Sequence, residues 1–172
     1  MEILNKLEST IHGWVKSVPH LPVAGQKWLG QNVWWIVLIG TILSAIAGLV
    51  AIGGIFTLLA LMSAYAIYAP TATVGSLIGA IVSVVFLVLQ VLLMAMAIKP
   101  LKAGQKKGWV ILFASWLLNI VSVVLGAVLS FSIFGFITGI LFGAIGVAIS
   151  GYFLFEIHGQ FAHTVKHTAK KA

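Results

Sequence analysis

The chain has 172 residues, of which 61% are apolar and only 8% are charged, against roughly 25% charged in an ordinary soluble domain. All 10 basic residues are lysine and all 3 acids are glutamate, so the formal charge is +7 and the chain holds no Arg, Asp or Cys. This balance excludes a soluble enzyme, a nucleic-acid-binding domain and a disulfide-stapled secreted domain, and describes an integral membrane protein.

Residues 1–18 read as an amphipathic interfacial helix. At 100° per residue, Ile3, Leu4, Leu7, Ile11, Trp14, Val15 and Val18 fall within an arc of about 120°, and Glu2, Asn5, Lys6, Glu8, Ser9, His12, Lys16 and Ser17 fill the rest of the wheel. Two readings are open: the stripe lies on lipid in the interface, or it packs on the rest of the protein. Pro19 and Pro22 end the helix and open a linker over residues 19–32. The charges spaced along this region are unlike a cleavable signal, so the first span is expected to act as its own insertion signal.

Residues 33–98 carry no charge, and neither do residues 108–155. One helical span needs about 20 apolar residues, so each run is long enough for two spans and too long for one. An all-α, four-span membrane domain over residues 33–157 follows, built as two hairpins. Its spans are expected at 33–59, 74–98, 109–130 and 135–157. Trp34 and Trp35 mark the first interface, Tyr65 and Tyr68 form a second aromatic belt, and Trp109 opens the third span. Gly53-Gly54 is expected to loosen the far end of the first span. A basic tail, residues 158–172, completes the chain.

With four spans, the N-terminal region, the connector near residues 99–108 and the tail share one face. They hold Lys6, Lys16 and Lys27, then Lys99, Lys102, Lys106 and Lys107, then Lys166, Lys170 and Lys171, which is every lysine. The positive-inside rule then predicts that both termini are cytoplasmic. The connector and tail lysines are topological determinants that also suit anionic lipid headgroups, and nucleic acid is not expected as a partner.

The hairpins resemble each other internally. Ala24-Gly25-Gln26-Lys27 precedes the first and Ala103-Gly104-Gln105-Lys106 the second, with Pro22 and Pro100 shortly before each. A duplication of this kind is parallel, with its axis along the membrane normal.

Spans in lipid associate through small residues and interhelical hydrogen bonds. Each span here has one small or polar seam: Thr41, Ser44 and Gly48; then Gly75, Gly79, Ser83 and Gln90; then Ser115, Asn119, Ser122 and Gly126; then Gly135, Gly139, Gly143 and Gly151. The glycine stripe of the fourth span serves either intrachain packing or contact with a second copy or another membrane protein.

Glu156 is the one acid outside residues 1–18. Near the end of its span it can reach headgroup water or pair with a connector lysine, and the alternative is an ion or proton role. Gln90 and Asn119 are the deepest amides, expected to bond across to a neighbouring helix or to line a polar path with Glu156. His163 and His167 stand at i, i+4, a spacing that can hold a metal, but no carboxylate or cysteine is near to complete a site. No phosphate loop or serine elbow occurs, so neither catalysis nor a cofactor is expected.

Lys107-Gly108-Trp109-Val110-Ile111-Leu112-Phe113, together with Gly151-Tyr152-Phe153-Leu154-Phe155, resembles a group of small four-helix bacterial membrane proteins of uncharacterised function. The resemblance covers the second hairpin and implies a four-helix protein of the bacterial cytoplasmic membrane. The group often has arginine where this chain has lysine.

The residues together lead to the expectation of a non-catalytic membrane protein acting through helix and lipid contacts, as a scaffold or accessory subunit. The rival is an oligomeric channel or small-solute transporter.

Overall fold

The computed structural model describes residues 6, 7, 10, 11, 13, 18–65, 70–130 and 132–162. These residues form only helices: α1 (Val23–Tyr65), α2 (Pro70–Lys102), α3 (Lys106–Val128), α4 (Ile133–Glu156) and a short α5 (His158–Ala162). Four of them are long and apolar enough to cross a membrane. Most of the expected surface helix lies outside the described residues, although Ile11 packs against the main apolar cluster. His163, His167, Lys166, Lys170 and Lys171 also lie outside them.

Helix α1 begins inside the stretch expected to be linker. Pro22 stands just ahead of it and its carbonyl accepts the first helical bond from Gln26 N–H at 3.1 Å, a place where proline costs nothing. The following Ala, Gln, Lys, Trp and Leu are compatible with helix, so nothing stops it before Trp34. It also runs unbroken through Gly53 and Gly54. At 43 residues α1 is about 64 Å long, twice the roughly 30 Å of a hydrocarbon core.

The connector after α2 is set by a glycine. Gly104 has φ +64°, its N–H reaches Leu101 O, and Gln105 N–H reaches back to Pro100 O. That pair of bonds is the Schellman closure, which satisfies carbonyls left open at the helix end. Gly25, its counterpart in the repeated tetrad, instead sits in the first turn of α1. The two matching tetrads therefore adopt different local structures. At the other turn, Ser132 caps α4 by accepting from Gly135 N–H at 3.3 Å.

Consecutive long helices pack antiparallel and in series: α1 on α2, α2 on α3, α3 on α4. The register shows at the glycines. A Cβ on Gly40 would meet Met94, and one on Gly48 would meet Leu87 at 2.8 Å. Gly79 faces Leu129, while Gly108 lies against the backbone of Pro100 and Leu101. Gly139 faces Ala127, Gly143 faces Val123, and Gly151 faces Trp116. Helices α1 and α4, the ends of the series, barely touch along their lengths.

The core sits at the lysine-rich end. Val33, Val37, Ala97, Leu101, Trp109, Phe113, Leu154, Phe155, Ile157 and Phe161 form it. Trp109 is fully buried rather than interfacial. It stacks on Phe113 at 5.3 Å, and its indole N–H donates to Leu154 O at 2.9 Å. That carbonyl belongs to the last turn of α4, where helix carbonyls commonly take donors from outside the helix. The outer surface is a belt of exposed Leu, Ile, Val and Phe, an exterior that suits hydrocarbon.

Candidate functional site

Two features stand out from the packed frame. The first is a knot around Glu156. This side chain is wholly buried at the end of α4, and four bonds tie that end to the chain ahead of α1 and to the start of α1. Glu156 Oε1 lies 2.7 Å from His20 Nδ1. Glu156 Oε2 accepts from Leu21 N–H at 3.0 Å and from Gln26 Nε2 at 3.1 Å. One turn earlier, Tyr152 OH donates to Pro19 O at 2.9 Å. The partner is therefore not a connector lysine. Two carboxylate oxygens matched by three hydrogen-bonding groups satisfy a buried charge, as burial requires.

The second feature is a cleft of about 470 Å³ among the four long helices. Leu29, Val33, Ile36 and Val37 form its α1 wall, and Gln90 and Met94 its α2 wall. Leu112, Ser115, Trp116 and Asn119 come from α3, and Ser150, Phe153 and Leu154 from α4, with Ile157 just beyond. Because α1 and α4 do not pack on each other, the cleft opens sideways between them. Ile36 and Phe153, 38% and 45% exposed, stand on its walls. The Glu156 knot joins α1 and α4 below, beside Leu154 and Ile157, and so closes the lower end.

The cleft is mostly apolar, with no charged residue in its lining. Its polar groups come from α2, α3 and α4. Ser150 Oγ donates to Gly146 O. The side chains of Gln90, Ser115 and Asn119 have no hydrogen-bond partner among the described residues. The α2–α3 register places Gln90 level with Asn119, which is one turn from Ser115. The expected interhelical amide bond is thus not formed. Both amides face the cleft, and Glu156 does not line it.

The remaining expected positions distribute plainly. Gly48 and Ser115 are buried, and Ser122 is half-buried. Gly135 lies against Ser130 at the turn, and Gly139 and Gly143 face α3, so the α4 stripe is occupied within the chain. Gly126 is exposed with open space beside it. Lys99, Lys102 and Lys107 are exposed and Lys106 is half-buried, with Lys102 Nζ 4.9 Å over the Trp34 ring. That contact is a cation–π interaction at the rim of the bundle.

Sequence reasoning missed His20 and Trp116. His20 sits three residues ahead of the helix start, on the same expected face as Glu156, and that shared level was the available signal. Trp116 closes the gap in the α4 stripe: its indole N–H donates to Val147 O at 2.9 Å, over Gly151, where a Cβ would stand 2.7 Å from the ring. Comparison with family models, curated proteins and solved structures finds no match.

Proposed function

We propose that the protein is a non-catalytic integral membrane protein that works through contacts with lipid and with neighbouring helices, as a scaffold or accessory subunit. One observation carries this reading: the interior space lies where α1 and α4 barely touch and has no charged wall. Ion pathways are usually marked by buried charge or carbonyl rings along an axis. The buried acid is instead committed to holding the start of α1 and the chain ahead of it. The lysine distribution supports an orientation with both termini in the cytoplasm, and the resemblance of the second half to bacterial four-helix proteins supports the bacterial cytoplasmic membrane.

The test is flux. Proteoliposomes loaded with a potassium- or proton-sensitive dye should leak no faster than protein-free vesicles. Flux that rises with protein and falls on Asn119→Leu would favour the rival reading of an oligomeric channel.

A further inference from the structure

The lateral cleft holds a chemical contradiction. Ser115 is only 4% exposed, yet its hydroxyl has no partner among the described residues, and the amides of Gln90 and Asn119 beside it have none either. Away from water, such groups cost free energy unless something bonds to them. Gln90 is nine residues from Lys99, and Ser115 is eight from Lys107. Asn119 is twelve residues from Lys107, so at 1.5 Å per residue the trio lies about 12–18 Å into the bundle, near the middle of a hydrocarbon layer about 30 Å thick.

Three properties of the cleft define what fits it. Its walls suit a chain: Leu29, Val33, Val37, Met94, Leu112 and Trp116 are all apolar. Its polar trio lines the same cleft and offers two NH₂ groups and a hydroxyl, donors that match a carbonyl oxygen. No charged residue lines it, so a phosphate or ammonium group there would be buried uncompensated. The depth adds to this, since a charged headgroup stays at the interface while an uncharged group can follow its tail inward. We infer that the cleft binds an uncharged, carbonyl-bearing amphiphile with a long hydrocarbon tail, which enters sideways between α1 and α4. Gln90, Ser115 and Asn119 hold the carbonyl. Diacylglycerol esters and alkyl-substituted quinones share this chemistry.

The inference rests on the lipid-contact reading above, but the two fail separately, since flux tests that reading and site labelling tests this one. The probe is a diacylglycerol carrying a diazirine in one acyl chain, crosslinked to the full chain in nanodiscs, with labelled peptides mapped by mass spectrometry. A phosphatidylglycerol with the same chains is the comparison. The diacylglycerol probe should label the cleft walls on α3 and α4, and the phosphatidylglycerol probe should label mainly the outer belt around Phe142. Asn119→Leu and Gln90→Leu should each cut cleft labelling about fivefold, the effect of losing one net hydrogen bond, and leave the belt unchanged. On the unaltered chain, excess dioctanoylglycerol or a decyl-substituted benzoquinone should compete, and whichever does so better names the source of the carbonyl. The inference is overturned if both probes label the cleft equally, if neither reaches it, or if neither competitor displaces the label.

Discussion

Glu156 shows what one side chain does when its surroundings leave it no water. Oε2 takes two donors and Oε1 faces His20, so the carboxylate is matched on both sides. Glu156→Gln can keep its oxygen toward Leu21 and Gln26 and turn its amide to His20, whose ring nitrogen accepts in the other tautomer. That change should cost about 1 kcal/mol, the difference between charge-assisted and neutral bonds. Glu156→Leu strands the Leu21 N–H and the Gln26 amide and should cost about 2–3 kcal/mol more. Thermal unfolding in mild detergent checks the order: wild type, then Gln, then Leu. A Leu variant as stable as wild type would mean that the knot holds nothing. The sequence marked Glu156 as singular but not its partners, because His20, Leu21 and Gln26 lie in a stretch whose prolines suggested only a linker.

At the scale of the helices, the glycines decide how closely backbones approach. A side chain at Gly143 would collide with Val123, whose Cγ1 already occupies the space a Cβ needs. Gly143→Leu should therefore loosen α3 from α4 and lower stability by about 1–3 kcal/mol as overpacking. Gly126→Leu, at an open position, should be nearly neutral. Loss of a higher-order band without loss of monomer stability in Gly143→Leu would instead assign the stripe to self-association. The four long apolar helices were legible because uncharged runs this long have no other use. The start of α1 was not legible, since Pro22 terminates one helix and begins another with equal ease. Nor was the role of Trp109: tryptophan at a span end is usually interfacial, whereas this one is buried against Phe113 and Phe155 and donates to the carbonyl of Leu154.

For the whole molecule, hydrophobic patterning sets the number of long helices, while their serial packing sets the shape. A ring closed by α1 and α4 would have had no lateral opening. The series leaves one, and its polar trio turns the gap into a site. Periodicity could place Gln90, Ser115 and Asn119 on one seam each, but not show that the seams leave them unpaired. The proposed orientation is open to a direct check. Ala72→Cys should react with a membrane-impermeant thiol reagent added outside intact cells, and Ala169→Cys should react only after permeabilisation; the reverse pattern would refute the lysine argument. The central claim, that the protein works by holding lipid rather than by conducting, is tested most directly by native mass spectrometry of chains released from nanodiscs. One tightly retained lipid per chain should survive activation, and its retention should fall about fivefold in Asn119→Leu. Chains that emerge bare, or retain lipid equally after that substitution, would contradict the claim.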